Sequence, residues 1–182
     1  MNTLEKVLKN KESIYSSMVE TIASRLYDVR KEGIKDSLSG FRNTAHRLEE
    51  VANVRGISFI NDSKATNVNA TWYALESMHR PVIWIAGGQD PQNDYNVLAG
   101  LVHQKVRALV CLGTENSNII GYFKDKTDLV LETTDMMNAV QAAYNLGQPG
   151  DVVLLSPACP SFDLFDNYAE RGKRFREAIS GL

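Results

Sequence analysis

Apolar and polar positions follow two different periodicities along the chain, and both recur after residue 46. Runs of apolar residues that are long enough only for a strand fall near 81–86, 108–112, 128–131 and 151–155. Amphipathic stretches between them predict helices near 67–78, 95–105, 115–123, 134–146 and 162–179. Strands that are apolar throughout are typical of a parallel sheet covered on both faces. The pattern therefore predicts an α/β fold, with a Rossmann-like, mostly parallel sheet and helices on both faces.

The first 43 residues show a different pattern. Apolar residues recur every three or four positions from Ile14 to Val29, which predicts an amphipathic helix. Gly33 interrupts this helix, and a second short one is predicted over 34–41. Two helices without a sheet of their own do not make a domain. We therefore expect residues 1–43 to be the helical end of another domain and residues 44–182 to be the α/β domain, which opens with a predicted β-hairpin.

Composition and charge exclude several classes of protein. The 182 residues include 20 basic and 22 acidic side chains, a formal net charge of −2, and both signs are spread evenly. An even distribution argues against a nucleic-acid or membrane surface as the main partner, and no apolar run is long enough for a membrane span. The N-terminus lacks a signal-peptide pattern. Cys111 and Cys159 lack a CxxC partner, so we expect a cytoplasmic protein with no metal centre of its own.

Three predicted strand ends carry polar or glycine-rich loops, and ligands of open parallel sheets bind at such ends. The first loop, residues 61–67, reads Asn-Asp-Ser-Lys-Ala-Thr-Asn. A helix N-terminus together with the ammonium group of Lys64 favours an anion such as a phosphate or a carboxylate. Helix capping by Thr66 or Asn67, with Lys64 in solvent, explains the same residues without a ligand. The first loop is thus a candidate anion site.

The other two loops are less specific by themselves. Gly87 and Gly88 allow close approach of a ligand or simply a sharp turn, and the chain contains neither GxGxxG nor GxxxxGK[ST]. In the third loop, Ser161 is placed to cap the last predicted helix, whose free N–H groups could also receive a carboxylate. Cys159 belongs to no recognisable Cys/His motif, and the serines lack a GxSxG elbow. Nucleophilic catalysis is therefore not supported.

Taken together, the motifs resemble those of one family, the Mur ligases, and within it the D-glutamate-adding branch. The matching segments, in order along residues 12–182, are HRLE at 46–49, NDSKATN at 61–67, GGxD before NDY at 93–95, SPACxSFDxF at 156–165 and YxxRGxxF at 168–175. Family members have a UDP-sugar domain, a central ATPase domain with a P-loop and a C-terminal Rossmann-like domain. The resemblance identifies this chain as the tail of the central domain followed by the C-terminal domain.

The resemblance implies ATP-dependent amide formation in the parent enzyme, in which the amine of D-glutamate attacks an acyl phosphate of UDP-N-acetylmuramoyl-L-alanine. It implies that ATP and Mg²⁺ are held mainly by the central domain, and that the chain works together with the central and N-terminal domains of the same ligase. A chain without a P-loop is expected to be inactive alone.

Site roles also follow from the resemblance. It assigns Arg47 to the nucleotide phosphates, Asp62 to the ribose, and Lys64 to the negative charge that develops at the reacting centre. It assigns Thr66 to the α-carboxylate of D-glutamate. The side-chain carboxylate of D-glutamate falls to Ser161, Phe162 and Tyr168.

One position departs from the family pattern, and two alternatives remain. The family commonly carries Lys or Arg two places before the position of Asn93, where this chain has Pro91. Losing such a charged hydrogen bond typically costs about 1.5–3 kcal/mol, so either Lys64 and backbone N–H groups replace it or the amino-acid preference differs. The alternatives are another amide ligase of the superfamily, such as one that extends folate with glutamate, and a free-standing nucleotide-binding module without activity.

Overall fold

The computed structural model describes residues 45–90 and 92–182. The two helices predicted before residue 44, the boundary between residues 43 and 44, and Pro91 lie outside the described residues. Six strands form one sheet, and their bounds are β1 (Glu49–Val54), β2 (Ile57–Asn61), β3 (Val82–Gly87), β4 (Val106–Leu112), β5 (Leu129–Thr133) and β6 (Val152–Ala158).

The strand order is β1-β2-β6-β3-β4-β5. β1 and β2 form the predicted antiparallel hairpin, and each of the other neighbouring pairs is parallel. The prediction of a mostly parallel α/β sheet is therefore confirmed. The connection from β2 to β3 passes over β6, which places β6 between them at the centre of the sheet.

Five helices connect or follow these strands. Their bounds are α1 (Val68–Glu76), α2 (Ala99–Lys105), α3 (Ser117–Phe123), α4 (Met136–Leu146) and α5 (Tyr168–Ile179), and a 3₁₀ turn over Asn96–Leu98 leads into α2. The sequence predicts Thr66 or Asn67 as the cap of α1, and the structure has Asn67. Its side chain accepts a hydrogen bond of 3.0 Å from the N–H of Ala70. Gly147 is the C-cap of α4, where the sequence predicts the end of that helix.

The last helix begins later than the sequence predicts, so that prediction was wrong. α5 begins at Tyr168 with Asn167 as its N-cap, not at residue 162 with Ser161 as its cap. The carbonyl oxygen of Ser161 instead accepts hydrogen bonds from the N–H groups of Leu164 and Phe165, which close a tight turn. The Asn167 side chain accepts from the N–H of Glu170, 2.9 Å away. This bond satisfies a free donor of the first helical turn, so the helix starts there.

Alternate residues of the central strands pack on the two faces of the sheet. Ile83 and Ile85 contribute to the core that also includes Val140 of α4 and Phe175 of α5. On the opposite face, the Trp84 ring lies edge-on to Phe123 of α3, with 5.4 Å between ring centroids. Every residue of β3 is buried. Helices thus cover both faces, as the apolar strands predict.

The sheet brings the three polar loops together. The carboxyl ends of β2, β6 and β3 are neighbours, because these strands are adjacent and parallel. After β6 the chain continues into α5, which packs on β2, whereas after β3 it continues through α2 toward β4. The two connections therefore leave in opposite directions. Such a point in an open α/β sheet leaves a crevice in which ligands bind.

Candidate functional site

Asp62 lies at the end of β2 with only 6% of its surface exposed. One carboxylate oxygen accepts a hydrogen bond of 3.2 Å from the N–H of Leu48, and the other accepts one of 2.9 Å from the hydroxyl of Ser156. Burial raises the pKa of this carboxyl to about 7, although both hydrogen bonds and the charge of Arg47 act in the opposite direction. Asp62 is thus an anchor between the ends of β2 and β6 and the segment that carries Arg47.

Arg47 lies in a turn of unusual backbone conformation. Its two neighbours, His46 and Leu48, have φ angles of 63° and 43°, a left-handed region that non-glycine residues rarely adopt. Three hydrogen bonds hold the turn, from Leu48 N–H to Asp62, from His46 N–H to Glu49 and from Lys64 N–H to the carbonyl of His46. Such strain persists only where the surroundings enforce it. The surroundings therefore fix the backbone from which the Arg47 side chain extends.

Lys64 joins this turn to the last helix. Its N–H lies 3.1 Å from the carbonyl oxygen of His46, and its ammonium group lies 5.4 Å from the centroid of the Tyr168 ring. This distance is within the range of a cation–π interaction. The next residue in the assigned set, Thr66, is half-buried, and its N–H donates to the carbonyl of Lys64. The structure thus brings Arg47, Lys64 and Tyr168, which come from three separate motifs, to one end of the sheet.

Two consecutive residues of the third loop differ strongly in their exposure to solvent. Ser161 is 2% exposed, whereas 69% of the surface of Phe162 is exposed. Pro160, which precedes them, accepts a hydrogen bond of 3.0 Å from the N–H of Gln89, so this loop lies against the glycine-rich loop. Ser161 is therefore buried, whereas Phe162 projects from the surface of the same loop.

The glycine-rich loop is held by its own polar side chains. Asp90 accepts hydrogen bonds from the N–H of Asn93 and from the hydroxyl of Tyr95, and the Asn93 amide donates to the carbonyl of Ala158. Gly88 has a φ angle of 133°, and a Cβ atom there would overlap the carbonyl oxygen of Pro160. Glycine is thus required by a close approach of two loops. The hydrogen bond from Asn93 thus ties this loop to the end of β6.

Arg171 is a residue of the site that the sequence analysis left without a role. It is 1% exposed, and its guanidinium donates to the hydroxyl and the carbonyl of Ser63 and to the carbonyl of Cys159. Burial lowers the pKa of Arg171 to about 10. These three hydrogen bonds tie the first loop to the third one. The YxxRG motif is the signal that could have identified Arg171 as a residue of the site. A sequence motif does not show, however, that a charged side chain is buried.

A sequence profile described as "Mur ligase, glutamate ligase domain" matches residues 46–159, which include the hairpin, the first loop, the glycine-rich loop and β6. This match covers more than half of the chain. The chain belongs to the Mur ligase family.

Among relatives of this Mur ligase chain are two proteins named UDP-N-acetylmuramoylalanine--D-glutamate ligase. The one from Christiangramia forsetii is 48% identical over 182 residues, which are 100% of this chain and 41% of that protein. The one from Bacteroides thetaiotaomicron is 46% identical over 184 residues, again 100% of this chain and 41% of the relative. The chain thus spans about two fifths of the length of these relatives.

Solved structures of the family share the fold at low sequence identity. A murein peptide ligase from Psychrobacter arcticus superimposes with a TM-score of 0.52 and 13% identity, over 81% of this chain and 32% of that one. A UDP-N-acetylmuramate-alanine ligase from Thermotoga maritima gives 0.51 and 14%, over 80% and 32%. These likenesses support the fold of the Mur ligase domain.

The described part of the Mur ligase domain lacks two kinds of feature, a cluster of metal-ligating side chains and a membrane-spanning helix. Within residues 45–90 and 92–182, no three His, Cys, Asp or Glu side chains are grouped so that they could hold a metal ion. No helix in the same part of the chain is both long enough and apolar enough to cross a membrane.

Proposed function

We propose that this chain is the C-terminal, amino-acid-binding domain of a cytoplasmic, ATP-dependent ligase that joins D-glutamate to UDP-N-acetylmuramoyl-L-alanine. The observation that carries the proposal is the contact between Lys64 and the turn of Arg47, beside Tyr168. It brings two cationic side chains from separate motifs to one strand end, where a phosphate and a carboxylate could be handled side by side. The names of the relatives supply the identity of the amino acid.

The nucleotide end of the proposed site is the turn around Arg47. A guanidinium presents several N–H donors in a fixed plane, which suits phosphate oxygens. Asp62 is assigned to the ribose. Both of its oxygens already accept hydrogen bonds, but a carboxylate oxygen has a second lone pair, so a ribose hydroxyl could be added without losing either bond. ATP and Mg²⁺ would be held mainly by the central domain, with Arg47 closing on the phosphates from this side.

The amino-acid end of the proposed site lies between the first loop and the start of α5. Thr66 would hold the α-carboxylate of D-glutamate. Ser161, the backbone at Phe162 and Tyr168 would hold the side-chain carboxylate. Because Ser161 is buried, a hydrogen bond from its hydroxyl would be shielded from water and strengthened.

The proposed reaction needs an amine close to an acyl phosphate and a positive charge beside both. The amine nitrogen attacks the carbonyl carbon to give a tetrahedral intermediate, from which phosphate leaves and the nitrogen loses a proton to solvent as the amide forms. In this intermediate, negative charge develops on the carbonyl oxygen. Lys64 would offset this charge. Orienting the amine by its two carboxylates removes much of the entropic barrier to attack. The chain thus contributes binding, orientation and one charge, and the ATPase step belongs to the central domain.

The experiment that tests the proposal uses the full-length ligase. Purified enzyme is incubated with ATP, Mg²⁺, UDP-N-acetylmuramoyl-L-alanine and D-glutamate, and phosphate release and the coupled product are measured. We expect product with D-glutamate, formed at least about a hundredfold more slowly by the Lys64→Ala variant. The matched control is the 182-residue chain alone, which should release no phosphate.

Other outcomes identify the alternatives. Product formed only with another amino acid, or on a folate, would replace the proposed substrate by that of another ligase of the superfamily. Nucleotide binding by the full-length protein without any ligated product would favour the non-catalytic module. Turnover by the 182-residue chain alone would contradict the assignment of ATP to another domain.

A further inference from the structure

His46 has no assigned role, but it contacts several separate parts of the proposed site. Its N–H donates to a Glu49 oxygen at 3.0 Å, and its carbonyl accepts from Lys64. Its ring nitrogen Nδ1 lies 3.0 Å from the amide nitrogen of Asn61, and its ring lies edge-on to Tyr168, with 6.3 Å between centroids. His46 therefore touches β1, the first loop and α5 while it precedes Arg47 directly.

The protonation of the His46 ring follows from Asn61. The amide oxygen of Asn61 accepts from the N–H of Ser63 at 3.2 Å, and its amide nitrogen donates to the carbonyl of Gly172 at 3.2 Å. A flipped amide would break both bonds, so the NH₂ group faces His46. Since that group only donates, Nδ1 of His46 must accept. The ring is thus neutral and carries its proton on Nε2.

Gly172 provides the space for this ring. A Cβ atom at residue 172 would overlap Nδ1 of His46 and would lie 2.8 Å from Cε1. Gly172 is inside α5, where alanine is favoured over glycine by roughly 1 kcal/mol in the absence of a clash. Its presence there is explained by the close approach of the His46 ring.

We propose that His46 is a positioning residue: its neutral ring, packed between Asn61 and Gly172, fixes the turn of Arg47 and the backbone of Lys64 relative to α5. The position of the ring is a property of this chain alone. Its consequence for catalysis rests on the proposed function. Because one short turn holds both Arg47 and the N–H of Lys64, displacing it would disturb nucleotide binding and the reacting centre together.

The charged groups around the ring also favour its neutral form. Burial lowers the pKa of His46 most, and the positive charges of Arg176 and Lys64 lower it further, while Glu49 raises it. Asn61 and Gly172 contribute uncharged groups from β2 and α5. A proton on Nδ1 would face the NH₂ group of Asn61 and break their hydrogen bond. We expect acid to loosen this contact.

The first test is NMR of the 182-residue chain labelled with ¹⁵N at its histidines. At pH 8 the His46 ring should show a protonated Nε2 and an unprotonated Nδ1, and its titration midpoint should fall below 6.5. A His46 ring with its proton on Nδ1, or one charged at pH 7, would overturn the proposal. This measurement needs no ligase activity, so it is independent of the proposed function.

The second test uses a double-mutant cycle in the same chain. Gly172→Ala should lower the melting temperature when His46 is present, because the new methyl group displaces the ring. In the His46→Ala background the same change should raise the melting temperature, because only the gain in helix propensity remains. An effect of the same sign in both backgrounds would show that the ring does not occupy the space at Gly172.

The third test measures kinetics of the full-length ligase. His46→Ala should raise KM for ATP and lower kcat, together reducing kcat/KM by about tenfold to a hundredfold. His46→Asn should largely restore both constants, because its amide oxygen can accept from Asn61 and asparagine tolerates a positive φ. A purely structural role would lower kcat through the folded fraction and leave KM for ATP unchanged. That result, or failure of asparagine to rescue, would contradict the positioning role.

Discussion

The hydroxyl of Ser156 donates a hydrogen bond of 2.9 Å to the carboxylate of Asp62, and this bond joins the carboxyl ends of β6 and β2. The same Asp62 accepts from the N–H of Leu48. Two strands and the strained turn of Arg47 therefore share one buried carboxylate. Burying the charged form of the Asp62 carboxyl costs free energy, so the stability of the domain should depend on the protonation of Asp62.

The first prediction concerns the pH dependence of stability. Burial raises the pKa of Asp62 from 3.8 to about 7, so between these values the folded state binds more protons than the unfolded state. The free energy of unfolding should therefore decrease as pH rises from about 4 to 7, by at most about 4 kcal/mol from this group. Urea denaturation of the 182-residue chain at a series of pH values measures this slope.

The matched variant is Asp62→Asn. Its amide oxygen can accept from Leu48, and its NH₂ group can donate to the Ser156 hydroxyl, so both bonds remain without a buried charge. We expect the variant to be more stable than the original chain at pH 8 and to lose the contribution of Asp62 to the slope. An unchanged slope would mean that Asp62 is ionised in both states throughout this range.

The second prediction concerns Lys64. In the full-length ligase, Lys64→Ala should lower kcat by at least about a hundredfold, the usual effect of losing one group that stabilises charge in the transition state. KM for ATP should change much less, since the proposed site assigns the phosphates to Arg47. Steady-state kinetics measures both constants. Lys124→Ala, at an exposed position after α3, is the control, and equal effects of both variants would exclude the proposed role.

The third prediction separates binding from chemistry. Ser161→Ala should raise KM for D-glutamate by about tenfold, the usual effect of losing one hydrogen bond, and leave kcat nearly unchanged. The proposed reason is that Ser161 holds a carboxylate remote from the attacking amine. Tyr168→Ala should act in the same direction, whereas Tyr168→Phe keeps the ring and should have a smaller effect. Ser180→Ala, at an exposed serine after α5, is the control and should leave both kcat and KM for D-glutamate unchanged.

The fourth prediction concerns Pro91, where the family commonly has a basic residue. Pro91→Lys in the full-length ligase should lower KM for D-glutamate by about tenfold to a hundredfold if this position lacks a carboxylate contact that the family makes. Titration of D-glutamate at saturating ATP measures the change. An unchanged or higher KM would mean that another group, with Lys64 as the first candidate, already supplies the contact.

The fifth prediction concerns Arg171. Arg171→Met fills a similar volume but leaves the carbonyls of Ser63 and Cys159 without their donors. We expect the free energy of unfolding to fall by roughly 2–5 kcal/mol, because buried acceptors lose their partners. Arg171→Lys keeps the charge and part of the hydrogen bonding, so it should lose less. Equal stability of the methionine variant in urea denaturation would show that this guanidinium does not hold the loops together.

The sequence by itself determined the elements and the class of fold. The apolar runs at β3, β4 and β6 predict buried parallel strands, because a strand covered on both faces cannot alternate with polar residues. Local chemistry also predicts a helix cap at Thr66 or Asn67, of which the structure has Asn67, and the end of α4 at Gly147. The order of the motifs predicts the family, which the profile match over 46–159 confirms. The assigned roles of Arg47, Asp62, Lys64, Thr66, Ser161, Phe162 and Tyr168 stay predictions.

Only the tertiary structure decided which groups meet. Several strands are equally apolar, so nothing local places β6 between β2 and β3, and that placement brings Ser156 to Asp62. The start of α5 depended on Asn167 and not on Ser161, because the carbonyl of Ser161 closes a turn instead. Arg171 is buried against the usual preference of arginine for the surface. His46 and Gly172 meet across 126 residues, and periodicity within one element carries no information about such a distant contact.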